Sequence, residues 1–503
     1  MVNKEITQQR PRSSSRIGRA AEKVFLEKKL NNWVGALLFT VIGVGMGFLL
    51  ASNMLVGFGV FGAVLGLAVV IICLLSTETG FYINLVYTFF VYHFSRLFFG
   101  DGLPVGVITD VLTGSMLFGL FLKGASLKKS FTDFTHSKIV ILIILNFMYG
   151  TLELFNPEGH SLDAWIQAIR RSLETFIFLF ITFHVLRDKQ TIMRYVKGLF
   201  ILCLLVGIYG CIQQWHGLFD FERTWVMADE VRFGLVFING EFRKFSTFND
   251  PTAYGSTMAA CSVFFTILAM GTKDRKLKWK LLGGVLIMLL GMAYSGTRTA
   301  NVMLLAGFGM FTLLSFNKKS TRVFAFIASL VFIGILYAPV YDNNTINRFR
   351  SSFQGSNDES YKVRELARNF VRPYMLSHPL GGGLATTGNL GLALNPGHFL
   401  AGFQTDSGYL QAALEIGWVG LIIICTMFFL VLRGGIDGYF NSRDEEMRTL
   451  YAAATSALFT FYVGMFAQNT LGHLTDTAFY YPLIAIIIRF KYSGKWDPAH
   501  SAG

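Results

Sequence analysis

Fourteen apolar runs, most of them near twenty residues long, partition this sequence at roughly 33–50, 54–75, 81–99, 104–122, 138–155, 163–186, 195–215, 252–270, 279–295, 299–316, 322–340, 406–432, 449–468 and 475–489. A run of that length, wound at ~1.5 Å per residue, crosses the ~30 Å hydrocarbon core of a bilayer. No water serves backbone amides and carbonyls there, so each crossing segment must satisfy them as a helix. The predicted fold class is all-α, a polytopic transmembrane helical bundle of 12–14 spans with a large extracytoplasmic loop containing amphipathic helices. The count is a range because Arg170, Arg171 and Glu174 interrupt the sixth run and place 160–172 either in the span or at the interface. Composition agrees: 53% of residues are hydrophobic and 15% charged, which excludes a water-soluble globule.

A net charge of +13 would suit a nucleic-acid partner in a soluble protein. Here the basic residues flank apolar runs, and no nucleic-acid partner is expected. With the N-terminus in the cytosol, thirty of the 44 Lys and Arg fall on inner connections, eleven on outer ones, and Arg96, Arg170 and Arg171 within spans. That bias places both termini in the cytosol. The five cysteines all lie in apolar runs, which implies neither a disulfide framework nor a thiolate metal site.

The expected organisation begins with a basic cytosolic tail at 1–32, which lacks the apolar core of a signal peptide. N-terminal transmembrane helices follow at 33–215, then an extracytoplasmic loop at 216–250 and further transmembrane helices at 251–340. A large extracytoplasmic loop at 341–405, C-terminal transmembrane helices at 406–490 and a cytosolic tail at 491–503 complete it. There is no internal repeat and no matched pair of Gly- or Pro-broken helices of the transporter kind. The two outer segments are too long to be simple connectors, so function is expected in them.

The first outer segment ends in Asn249-Asp250-Pro251 ahead of a span. Capping of a helix that starts on Pro251 explains Asp250. It does not explain Arg232, Arg243 and Lys244, outer-side cations where the charge bias supplies no reason for them; guanidinium groups near a helix N-terminus make an anion site. Arg298 stands in a tight outer turn, Ser295-Gly296-Thr297-Arg298, and either snorkels to lipid headgroups or forms a fixed cation at a cavity mouth. Between Ser360 and Leu376, Arg364, Arg368 and Arg372 recur at helical spacing beside Val363, Leu366 and Phe370. Such a helix either lies on anionic headgroups or lines a substrate site. Gly381-Gly382-Gly383 follows and is open to use as an anion nest. Asp406 begins the next run, and Glu415 falls two to three turns inside it beside Gly417 and Gly420, which favours a packing role for these residues.

Taken in order, the Arg243–Gly255 run, the Arg298 turn, the Arg364–Gly383 segment and Asp406-Ser407-Gly408-Tyr409-Leu410 leading to Glu415-Ile416-Gly417 resemble the O-antigen ligase and polysaccharide polymerase superfamily over about residues 195–432. Ligase-type members carry His where this chain has Asp406, and Ser407 replaces an Asn, which leans toward a polymerase of exopolysaccharide type. The resemblance implies a multi-pass protein of the bacterial inner membrane whose site is extracytoplasmic. It implies a glycan donor on polyprenyl diphosphate, and a glycan or lipid A core acceptor among membrane lipids.

On that reading Arg298 and Arg243, seconded by Arg232 and Arg364, bind the diphosphate. Asp406 is the first candidate general base and His398 the second, with His378 and His473 behind them. Asp250, Pro251, Glu415 and Gly417 are structural. No Asp-x-Asp spacing occurs in the outer loops, so no metal and no cofactor is expected. The rival function is a lipid-linked oligosaccharide flippase, which predicts charge near the bilayer midplane and short loops.

Overall fold

The computed structural model describes residues 33–490 apart from 53, 101, 123–124, 160, 239, 338, 340–342 and 354–358. The two tails expected at 1–32 and 491–503 lie outside the described residues. The chain forms two compact units, residues 1–72 and 73–503. In the first, helix α1 (Trp33–Ser52) and most of α2 (Met54–Leu75) contain no charged residue.

The second unit is helical almost throughout. It runs α3 (Thr77–Phe98), α4 (Val105–Leu122), α5 (Ala125–Thr135), α6 (Lys138–Leu152) with a short 3₁₀ turn (Glu153–Phe155), α7 (Leu162–Val185) and α8 (Lys189–His216). Two short helices, α9 (Asp220–Met227) and α10 (Glu230–Val236), and a two-stranded hairpin, β1 (Phe237–Ile238) with β2 (Glu241–Phe242), lead into α11 (Pro251–Gly271), α12 (Arg275–Tyr294), α13 (Arg298–Ser315) and α14 (Lys319–Tyr337). The large loop carries α15 (Asn344–Ser351), α16 (Glu359–Ser377) and α17 (Gly388–Leu394). The chain then continues through α18 (Gly408–Glu415), α19 (Gly417–Asn441), α20 (Glu445–Gly464) and α21 (Leu474–Arg489).

The all-α polytopic membrane architecture is as expected. Among the described residues seven helices are long and apolar enough to cross a membrane: α4, α6 with its 3₁₀ turn, α8, α11, α12, α14 and α19. Several of the others carry polar groups that neighbouring helices shield; α21 holds Asp476, 1% exposed, and α3 holds Arg96, 5% exposed. The charges that interrupted the sixth run are accommodated laterally within a continuous α7: Arg170 pairs with Asp110 of α4, and Thr113 donates to Glu174 at 3.3 Å.

Helix α11 is the axis of the core, buried along nearly its whole length between α12, α13, α20 and α21. Small residues on it permit this: a Cβ on Gly255 would stand 2.3 Å from Ser295 Oγ, and helices packed without a water-driven force rely on such close approach.

Ion pairs and loop contacts sort the connections into two sets, as alternate crossing requires. Lys189 meets Asp444 and Glu446 at 2.5 and 2.7 Å, Lys273 meets Glu445 at 2.7 Å, and Arg194 meets Glu78, all between connections expected to be inner. The other set joins 153–161, 216–250, 295–298, 343–407 and 465–473, through contacts such as Arg348 to Ile238 and His473 to Asp250.

Candidate functional site

The segment entering α11 is fixed by buried hydrogen bonds before any functional group is considered. Ser246, fully buried, holds φ at +52°. That strained conformation persists because its N–H donates to Gln213 Oε1 at 2.7 Å, its hydroxyl to Val206 O at 2.7 Å, and its carbonyl accepts from Arg96 at 2.8 Å. Thr247 donates to Phe89 O at 2.6 Å. Phe245 packs with Trp225, Val226 and Val236 of the preceding short helices. The segment thus delivers Arg243 and Lys244 at one end and Asp250 at the other in set positions.

Arg243 spreads its fork over three acceptors: Nε donates to Ser295 O at 2.9 Å, Nη2 to Thr297 Oγ1 at 3.0 Å and Nη1 to Leu235 O at 3.1 Å. It is therefore bound to the turn that immediately precedes Arg298, and Thr297 Oγ1 in turn donates to Pro251 O at 2.9 Å. Arg348, from α15 in the large loop, closes over the same turn. Its Nη2 donates to Ile238 O at 2.8 Å, and a Cβ on Gly296 would fall 2.2 Å from its Nη1. Gly296 sits at φ +60°, so glycine is needed there for both backbone and space.

Arg243, Arg298 and Arg348 interact electrostatically. Burial, then Arg348 and Arg298, pull the Arg243 guanidinium down to about 10, against a pull upward from Asp250. Burial lowers Arg348 and Lys244 as well, Glu241 opposing it in both, with Arg298 adding to the lowering of Arg348 and Arg348 to that of Lys244. The cluster is a set of cations held together at a cost, which is the electrostatic condition for binding an anion.

Asp250 caps α11, accepting from Thr252 N at 2.8 Å and Ala253 N at 2.9 Å. Its other oxygen faces His473 Nδ1 at 3.4 Å. The loop bearing His473 also joins the two arms of the site. Gln468 donates to Ser256 at 2.5 Å, Asn469 to Gln411 at 2.9 Å, and Met465 O accepts from Ser407 Oγ at 3.0 Å.

Two of the four proposed phosphate ligands are engaged elsewhere. Arg232 lies over the Trp225 ring at 3.9 Å and donates to Trp225 O at 2.6 Å. Arg364 pairs with Asp406 at 3.1 Å, beside Arg368, Phe403 and Ser407. His398 accepts from Leu400 N at Nδ1, 3.0 Å, and its Nε2 faces Tyr374 OH at 3.4 Å. His378 stacks on Tyr374 and faces Glu158 at 3.7 Å.

The run 406–432 is not one helix. It breaks at Gly417, φ +64°, where a Cβ would lie 2.2 Å from Pro379 O. Glu415 therefore ends α18 rather than lying inside a span. There it accepts from Thr387 N at 3.3 Å, from the Thr387 hydroxyl and from Gln411 Nε2 at 3.2 Å. The triple glycine is no anion nest either: the N–H groups of Gly382 and Gly383 donate to Leu414 O at 2.7 Å and Glu415 O at 3.0 Å, and that of Gly381 to His378 O at 2.9 Å. Among the described residues no three His, Cys, Asp or Glu side chains are grouped as metal ligands.

The family whose description is O-antigen ligase matches residues 283–425, from within α12 to within α19. Over this stretch the chain is similar to the O-antigen ligase family. The match bears out the resemblance to the O-antigen ligase and polysaccharide polymerase superfamily, and no curated protein matches the chain. It contains Arg298, Arg348, Arg364, His398, Asp406 and Glu415, while Arg243, Asp250 and His473 come to it from outside. In a chain of membrane-length helices, the match supports glycan processing at a membrane.

Sequence reasoning missed Arg348. Its signal was Asn343, an N-cap accepting from Thr345 N and Ile346 N at 3.0 and 3.1 Å, ahead of a short helix with Arg348 and Arg350 in its last turn.

Proposed function

We propose that the protein is a membrane glycosyltransferase that transfers or polymerises a polyprenyl-diphosphate-linked glycan on the extracytoplasmic face of a bacterial inner membrane. Polymerase is favoured over ligase because Asp406-Ser407 stands where ligase-type members carry His and Asn. The observation that carries the reading is the convergence of Arg243, Arg298 and Arg348 on one glycine turn in the ligase-like stretch. A leaving diphosphate is a multiply charged anion, and fixed guanidinium forks stabilise it as the bond to the sugar breaks.

In the transfer, the acceptor hydroxyl oxygen forms a bond to the anomeric carbon while the bond from that carbon to the diphosphate oxygen breaks. The hydroxyl proton passes to the Asp406 carboxylate, which Arg364 holds in place at 3.1 Å. Polyprenyl diphosphate leaves as an anion onto the arginines, and the acceptor is a second lipid-linked glycan or lipid A core. The arginines do the work a divalent ion does in other transferases.

Arg298→Ala should abolish glycan product while the protein still inserts and accumulates; normal polymer length in that variant would remove the mechanism. Purified enzyme given a lipid-diphosphate donor should turn over in EDTA. Strict dependence on added Mg or Mn ions would show that the arginines do not suffice.

A further inference from the structure

On the same face, the 3₁₀ turn after α6, the start of α7 and the large loop enclose a cleft of about 180 Å³. Glu153, Ser161 and Trp165 line one side, Leu384 and Asn395 the other. Close approach of two glycines holds the walls together: a Cβ on Gly383 would lie 2.8 Å from Gly159 Cα, and Asn156 Nδ2 donates to Gly381 O at 3.2 Å. This is the use the chain makes of its glycine run.

One polar group in this cleft is not accounted for by the fold. Asn395, 5% exposed, has no hydrogen-bond partner for Oδ1, and its Nδ2 reaches Ala385 O only at 3.4 Å. Reversing the amide would leave the NH₂ unmatched instead, so either assignment presents an unmet hydrogen bond. Glu153, 7% exposed, accepts from Asn156 Nδ2 at 2.7 Å and from the Tyr149 hydroxyl, and stands at the cleft wall. The indole of Trp165 is fixed by donation from Nε1 to Gly150 O at 3.2 Å. No cation is among the described lining residues, so the cleft repels phosphate and suits a neutral ligand rich in hydroxyl groups.

We infer that this cleft is a subsite for one pyranose unit of the glycan, an inference that rests on the glycosyl-transfer reading above. The Glu153 carboxylate accepts from adjacent hydroxyls and Asn395 takes part in a further hydrogen bond. The indole presents an apolar plate to the C–H face of the ring. A sugar that satisfies buried polar groups is selected over one that leaves them unpaired, which makes this a place where the repeat unit is read.

The test uses the full chain in nanodiscs, titrated with the methyl glycosides of glucose, galactose, mannose and N-acetylglucosamine, followed by tryptophan fluorescence and saturation-transfer NMR. At least one should saturate, with a dissociation constant on the order of 1 mM for so small a ligand. Asn395→Ala should weaken it tenfold or more without lowering the melting temperature, because the oxygen removed has no partner in the protein. Glu153→Gln should weaken it similarly. No binding by any of the four glycosides, or binding unchanged in both variants, overturns the subsite. Arg298→Ala should bind the glycoside as the unmodified protein does. If that variant loses product while the unmodified protein binds no glycoside, the subsite alone falls; if it keeps product, the transfer reading falls whatever the cleft binds.

Discussion

Replacing Arg243 with Lys keeps the charge of the cluster and removes its geometry. The guanidinium makes three donations, at 2.9, 3.0 and 3.1 Å, to acceptors on two separate segments. An ammonium on a flexible stem can reach one of them well. Two hydrogen bonds from a charged donor are then lost, each contributing ~1.5–3 kcal/mol. Water reaches the part-buried site and replaces some of this, so about 2–3 kcal/mol should remain as net loss. Because Ser295 and Thr297 form the turn that presents Arg298, the loss should appear in catalysis as about a 30- to 150-fold fall in kcat/KM. Initial rates with purified lipid-linked donor in nanodiscs, paired with melting curves, measure both effects. A kcat/KM within threefold of the unmodified enzyme and an unchanged melting temperature would mean that only the number of charges matters, and the fork argument would be wrong.

Gly417→Ala puts a Cβ 2.2 Å from Pro379 O and 2.4 Å from Leu380 C, at φ +64°. Backbone cannot step aside as a side chain can, so a loss above about 3 kcal/mol is expected from conformation and overpacking together; an unaltered melting curve would contradict it. The lowered Arg243 pKa has a definite sign: a cation whose folded pKa falls to about 10 opposes folding while charged, and that cost lifts only as pH rises from there toward its ordinary value. At neutral pH a bound anion should offset it. Inorganic pyrophosphate at tenfold its dissociation constant should stabilise the protein by about 1.4 kcal/mol, less in high salt and less in Arg348→Ala. An equal shift in that variant would place the anion elsewhere.

Apolar runs made the helical architecture legible because twenty consecutive apolar residues admit few other solutions. Their limits were legible only where polar residues or proline interrupted them. The break at Gly417 was not, since an apolar sequence carries no mark of a left-handed backbone forced by a neighbouring chain. Charge placement marked Arg243 and Arg298 as unusual. It did not reveal that Trp225 takes Arg232 or that Asp406 takes Arg364, because choice of partner is settled by packing between segments distant in sequence. Asp250 caps α11, yet capping uses one carboxylate oxygen and leaves the second to meet His473, a contact made across 223 residues of chain.

Part of the seam between the large loop and the bundle is made of main chain. Trp418 N donates to Pro379 O at 2.9 Å, and Gly382 and Gly383 donate to the carbonyls of Leu414 and Glu415. Peptide groups are common to every residue, so this part of the fastening does not depend on the side chains displayed on the outer rim of that loop. They are at liberty to change with the carbohydrate they greet, while the stitching underneath keeps the arginines in register.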